Sequence, residues 1–176
     1  MTGFGIDFGT TNSVMAVCED GQTYALTDKR LPHPSIVWFR GDEIVVGAAA
    51  KAQYHSYVNE PGNVFVKSVK GLLGTDKVIP VFGRQLSPSA VAGYIFEHLA
   101  RQARAEGLGV RECVVTITIH FGGSQRKALR EAAAQAGLHI KTFVHEPFAA
   151  FVGYIKARTD LTLLPNLRRV LVCDWG

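Results

Sequence analysis

One stretch constrains this chain more than any other: Gly5-Ile6-Asp7-Phe8-Gly9-Thr10-Thr11-Asn12-Ser13. Phe4, Ile6 and Phe8 alternate with other residues, the pattern of a strand with one face in a core. The run ends in a tight Gly-Thr-Thr turn, and Val14-Met15-Ala16-Val17-Cys18 leaves it as a return strand. Gly9 has no Cβ, so the backbone can turn there and approach a ligand closely. Thr10, Thr11 and Asn12 add hydroxyl and amide donors beside the exposed N–H groups of the turn, a concave set that suits phosphate oxygens. Asp7 ends the strand and faces the same space. A carboxylate beside a phosphate cradle points to Mg²⁺, which keeps most of its waters and needs only one or two carboxylates. Taken alone, the stretch is equally well an ordinary β-hairpin with a polar turn.

The 176 residues make one domain or two small subdomains. With 47% hydrophobic and 19% charged residues the chain is a soluble globular one able to bury a core. The net charge of +4 is spread thinly, and the basic runs Lys29-Arg30 and Arg168-Arg169 are short, which argues against a nucleic-acid groove. Cys18, Cys113 and Cys173 are too far apart for a zinc ligand spacing or a disulfide framework. All three lie in apolar strand patterns and read as small buried hydrophobes of a reducing cytoplasm. No basic-plus-apolar leader opens the chain, and no apolar run nears the ~20 residues that span a bilayer. The expected location is cytoplasmic, with no membrane partner.

Along the chain, Thr23–Leu26, Ser35–Phe39 and Ile44–Val46 read as strands, and Gly47–Tyr57 as an Ala-rich helix. Val64–Leu73 reads as a short helix stopped by Gly74, and Val78–Phe82 as part of a short strand pair. Ser87-Pro88 opens a helix, with Ser as N-cap and Pro at the first helical position. Val114–Ile119 is a β-branched strand. Ser124 is expected to cap the next helix and Gly137 to end it. Ile140–Val144 is a strand, and Glu146-Pro147 starts a helix to about Arg158. Its face of Ala149, Ala150, Gly153 and Ala157 is nearly all small, which predicts a closely packed neighbour. Val170–Cys173 reads as the last strand. The ending Leu171-Val172-Cys173-Asp174-Trp175-Gly176 repeats the opening pattern of apolar strand, Asp, aromatic, Gly. It reads as a second phosphate loop cut short, so the chain is expected to be a fragment.

Four stretches in order resemble the nucleotide-binding domain of the seventy-kilodalton heat-shock chaperones, in the actin-like ATPase superfamily. They are Gly5–Ser13; Ser68-Val69-Lys70-Gly71-Leu72-Leu73-Gly74; Val114–Ile117 with Gln125-Arg126 and Ala136-Gly137-Leu138; and Glu146-Pro147-Phe148-Ala149-Ala150. Asp174-Trp175-Gly176 looks like the start of a fifth. The resemblance implies an α/β fold: an actin-like (ribonuclease H-like) core of mixed sheet and helices, with a smaller inserted α/β subdomain. Residues 1–29 and 111–176 would form the core subdomain of the first lobe, and residues 30–110 the insertion. The second lobe and the peptide-binding domain would lie outside this chain.

The resemblance also implies roles. Hydrolysing a terminal phosphate needs charge neutralisation and a placed water. Asp7 and Asp174 would hold hydrated Mg²⁺ from two sides. Lys70 would neutralise charge on the γ-phosphate, and Glu146 would orient the water. Gly9, Thr10, Thr11, Asn12 and Gly176 would bind phosphate. The ligands would be ATP and ADP with Mg²⁺, K⁺ being a further candidate ion. Partners of the parent would be a J-domain co-chaperone, a nucleotide exchange factor and unfolded peptide. The isolated chain is expected neither to bind ATP tightly nor to turn it over.

Without that context, Lys70 is an ordinary surface lysine, Glu146 a helix-start acid favoured by the dipole and Asp174 a turn residue. His120 and His145 read as packing or solvent-facing residues. GxSxG, HExxH and Walker Lys-Ser/Thr patterns are absent, which removes acyl-transfer, metalloprotease and P-loop readings. The chain departs from the family at Thr118, where a proline is usual, at Gly122-Gly123, at Phe148 and in the short stretch from Gly74 to Ser87, as a divergent member would. Two other readings are open: a sugar or acid kinase of the same superfamily, and a non-catalytic nucleotide-sensing scaffold.

Overall fold

The computed structural model describes residues 2–157 and 169–173; Asp174 and Gly176 lie outside the described residues. β1 (Gly3–Phe8), β2 (Asn12–Glu19) and β3 (Gln22–Leu26) form an antiparallel meander, and the short β4 (His33–Pro34) pairs with β2. β5 (Ile36–Arg40), β6 (Glu43–Val46) and β7 (Asn63–Lys67) make a smaller antiparallel sheet in the order β6-β5-β7, with α1 (Ala48–Tyr57) beside it. A 3-10 turn (Val69–Leu72) and the hairpin β8 (Ile79–Val81) and β9 (Arg84–Leu86) lead to α2 (Pro88–Ala105). Then come β10 (Glu112–Ile117), α3 (Gly123–Gln135), β11 (His139–His145) and α4 (Glu146–Ala157).

β10 pairs in parallel with both β1 and β11, giving the larger sheet the order β11-β10-β1-β2-β3. β10, α3 and β11 form the crossover that parallel strands require. Ile6, Phe8, Met15, Val17, Val115 and Ile117 point to one face and are buried with residues of α2 and α3. The Phe8 and Phe96 rings stack at 5.0 Å and 7°. α2 also meets the smaller sheet, where Tyr94 sits edge-on to Phe39 at 5.7 Å. One continuous core therefore joins the two sheets through α2. Ser87 caps α2 as the sequence predicts, its Oγ accepting from the Ala90 N–H at 3.1 Å.

The opposite face of the larger sheet, with Gly5, Asp7, Val14 and Thr116, borders an open hollow of about 790 Å³ with α4 across it. α4 has no buried residue, and Phe148 is 61% exposed. The close neighbour expected from its small-residue face is not found among the described residues.

Other expectations are corrected. Val64–Lys67 is strand, not helix, because its β-branched and aromatic residues pair with β5, Trp38 opposite Phe65. The N-cap of α3 is Gly122 rather than Ser124: the extended Gly122 backbone donates its N–H to Gln125 Oε1 at 3.0 Å. Val170–Cys173 forms no strand among the described residues. Of the cysteines only Cys113 is buried, and burial pushes its thiol up to about 11; Cys18 and Cys173 are exposed. No helix of the described residues is long and apolar enough to cross a membrane.

A histidine pair ties the larger sheet to α2. His33 is buried, with Nε2 at 3.2 Å from the Leu26 carbonyl, and its Nδ1 lies 3.2 Å from His98 Nε2. The carbonyl accepts only, so His33 donates through Nε2 and accepts from His98. Burial, then the neighbouring His33 and Arg101, hold His98 down to about 4 against a small opposing pull from Asp28. The unfolded chain takes up this proton near the ordinary value of 6.5 while the folded chain resists it until about pH 4. Stability from this site is complete above that ordinary value and drains away as pH falls through the window. The slope is at most ~1.4 kcal/mol per pH unit, reduced by residual solvent contact. Urea midpoints at pH 7.5 and 5 should therefore differ less for His98→Gln than for the unaltered chain. Equal differences would show that the pair does not carry the effect.

Candidate functional site

Why the Gly9 turn has its shape follows from its neighbours. A Cβ on Gly9 would land on the Asn12 carbonyl oxygen, so the glycine is required by backbone packing inside the turn. Ser35 fastens the turn from below. Its N–H donates to the Thr11 carbonyl at 2.8 Å and its hydroxyl to the Gly9 carbonyl at 2.8 Å. The single Ser35 proton being used, Ser13 Oγ must donate to Ser35 Oγ across their buried 2.9 Å contact. Thr10, Thr11 and Asn12 are left exposed at the rim.

Asp7 is opposite Thr116 in the β1–β10 register, and Thr116 donates its hydroxyl to Asp7 Oδ1 at 2.7 Å. Asp7 lines an open hollow of about 380 Å³ together with Thr116, Glu146, Pro147 and Cys173. Among the described residues no three His, Cys, Asp or Glu side chains gather as a metal cluster. One exposed carboxylate oriented by a hydroxyl fits a hydrated magnesium held mainly by phosphate and water.

Lys70 is 7% exposed, on the 3-10 turn after β7. Its Nζ lies 2.6 Å from Glu146 Oε1, and the Phe121 ring centroid is 5.7 Å from it. Ser68, just before the turn, has φ +56°, which swings the chain from strand into turn. Gly74, at φ +72°, lets the segment lie on the start of α3; a Cβ there would come within 2.7 Å of the Gln125 nitrogen. Glu146 opens α4 directly after β11. Lys70 and Glu146, 76 residues apart, thus meet at the edge of the hollow that Asp7 lines.

The structure therefore brings together Asp7, Glu146 and, through Glu146, Lys70, with Gly9–Asn12 at the adjoining turn. Asp174 and Gly176 are outside the described residues. The sequence did not disclose Thr116, Ser35 or Phe121 as supports; Thr116 meets Asp7 only through the β1–β10 register, which joins residues 109 apart. His120 and His145 are exposed, as expected.

The family model described as Hsp70 protein matches residues 3–81 and 76–176. The chain belongs to the Hsp70 family. It corresponds to part of the Hsp70 nucleotide-binding domain, as the resemblance implied. It is 38% identical over 175 residues to the chaperone protein DnaK of Mycoplasma mycoides, 34% over 176 residues to that of Mycoplasmopsis agalactiae and 31% over 175 residues to that of Mycoplasma mobile. Each alignment covers 98% of this chain and 28% of the relative. The chain thus spans little more than a quarter of the length of these curated Hsp70 relatives. The matched relatives are Hsp70 chaperones, so the sugar or acid kinase reading is not favoured.

Proposed function

We propose that this chain is the phosphate-binding part of an Mg²⁺-dependent ATPase whose whole protein drives a chaperone cycle. The observation that carries the reading is the 2.6 Å approach of Lys70 Nζ to Glu146 Oε1 at the edge of the Asp7 hollow. In this reading the exposed donors of Gly9, Thr10, Thr11 and Asn12 bind phosphate oxygens, joined by Gly176. Asp7, aimed by Thr116, and Asp174 hold Mg²⁺ through water. When bound, the ion neutralises phosphate charge as the terminal group leaves. Lys70 exchanges its contact with Glu146 for the γ-phosphate, whose charge it offsets. Glu146, freed from that contact, orients the attacking water; positioning and electrostatics supply nearly all the catalysis in this chemistry.

The two-part division at residues 30 and 110 accompanies the reading, with α2 as the element that packs on both sheets. K⁺ as a further ion, a cytoplasmic location, and a J-domain co-chaperone, nucleotide exchange factor and unfolded peptide as partners of the whole protein are parts of the same proposal. Removing Mg²⁺ with a chelator is expected to abolish ATP turnover by the whole protein, and added Mg²⁺ to restore it. Turnover that survives chelation would refute the role given to Asp7. Nucleotide binding without any turnover at saturating Mg²⁺ would favour the sensing scaffold.

A further inference from the structure

Residues 33–35 join the histidine pair to the Gly9 turn. Ser35 ends this segment with two hydrogen bonds to the turn, its N–H to the Thr11 carbonyl and its hydroxyl to the Gly9 carbonyl, each at 2.8 Å. His33 begins it, paired with Ser13 in the β2–β4 register and only 1% exposed. Both nitrogens of its ring are held: Nε2 donates to the Leu26 carbonyl and Nδ1 accepts from His98 Nε2, each at 3.2 Å. The two rings meet edge to face with centroids 5.0 Å apart. The turn before α1 comes so near that a Cβ on Gly47 would stand 3.0 Å from His98 Nε2. The Gly47 N–H also donates to the carbonyl of Ile36, the residue after Ser35, at 3.1 Å. His98, on α2, therefore sits where β3, β4 and the β6–α1 turn meet, and its partner His33 is two residues from the bonds that shape the Gly9 turn.

We infer that His98 is a positioning residue for the Gly9 turn, acting through His33 and Ser35. Pro34 makes the link stiff: its ring fixes φ near about −65° and restricts His33 before it, so a shift of His33 reaches Ser35 with little absorbed between them. The pair has a direction. The Leu26 carbonyl only accepts, so His33 spends its one ring proton on that bond and its Nδ1 needs a donor, which His98 supplies. A buried acceptor left without its donor is costly, and Nδ1 regains a partner only when the His33 ring moves toward water. That movement draws Ser35 away from the Gly9 and Thr11 carbonyls, and the donors of the turn lose their common aim. The inference rests on the proposed reading for what the turn binds; the tether itself does not depend on it.

The test compares His98→Leu, which removes the donor, with His98→Gln, whose side-chain amide N–H can replace it, by amide hydrogen exchange of the 176-residue chain at neutral pH. In His98→Leu the Ser35 amide, bonded to Thr11, should quicken at least about fivefold more than the Val115 amide in the middle of β10, the loss of one neutral hydrogen bond. His98→Gln should restore most of that protection. Equal quickening at Ser35 and Val115 would mean a general loss of stability and would overturn the inference, as would a glutamine variant no better than the leucine one. Nitrogen NMR of the rings gives a check that needs no variant: His33 should carry its proton on Nε2, and the other tautomer would overturn the tether. ATP affinity of the whole protein should fall by a similar factor in His98→Leu and recover in His98→Gln. A loosened Ser35 with unchanged affinity would overturn the positioning role. An unaltered protein that binds no ATP would instead refute the proposed function, while the exchange result would still decide the tether.

Discussion

Lys70→Ala is expected to lower ATP turnover by the whole protein about 10²–10³-fold, the loss that follows removal of one preorganised donor from a developing anion. The ammonium is nearly sealed from water and held against Glu146 at 2.6 Å, so its charge is little screened and already positioned. On the proposed reading the loss belongs mainly in kcat, because Lys70 would meet charge that grows as the γ-phosphate departs, whereas the Gly9–Asn12 donors would meet phosphate throughout. Steady-state turnover and nucleotide affinity measured on the same preparation check this. Unchanged turnover would remove the role. An equal fall in affinity and rate would make Lys70 a binding residue only. The substitution also leaves Glu146 without its partner, which destabilises the fold in its own right, so denaturant unfolding of the same variant separates a folding loss from a catalytic one.

Phe8→Ala is expected to destabilise the fold by about 3–5 kcal/mol, the range for a fully buried phenylalanine that leaves a cavity. Its side chain is wholly enclosed and stacks on Phe96, the contact that fixes β1 to α2. Phe4, on the same strand face but only half-buried, should cost clearly less when truncated. Denaturant unfolding of the two variants and the unaltered chain provides the comparison. A Phe8→Ala cost below ~1 kcal/mol would mean that α2 does not cover β1 as described. Since Phe8 lies between Asp7 and Gly9, the same substitution should blunt phosphate binding even where the protein remains folded.

These two residues show how differently parts of the molecule can be read from sequence. Ile6, Phe8 and the Ser87 cap were legible because their signals are local: an alternation, and a hydroxyl before a proline. Val64–Lys67 misled because apolar residues at 64, 65, 66, 69, 72 and 73 satisfy helical and strand spacing alike. Pairing with β5, about 25 residues earlier, decides the matter. The Gly122 cap was hidden by a plausible serine two residues later, since the donor that matters is a backbone N–H received by Gln125. Ser35 supports the Gly9 turn from 26 positions away, and nothing in a serine after a proline announces that. Lys70 and Glu146 could be linked only through the family resemblance, because no spacing rule joins residues 76 apart. The small face of α4 is legible as a composition, but composition does not say which element supplies the neighbour, and none lies among the described residues.

A double-mutant cycle on single-turnover ATP hydrolysis, with Lys70→Ala, Glu146→Gln and both together in the whole protein, addresses the account most directly. If the two side chains act as one unit on the terminal phosphate and its water, the double variant should be about as slow as the slower single variant. Losses that simply multiply, or a Glu146→Gln enzyme as fast as the unaltered protein, would contradict it.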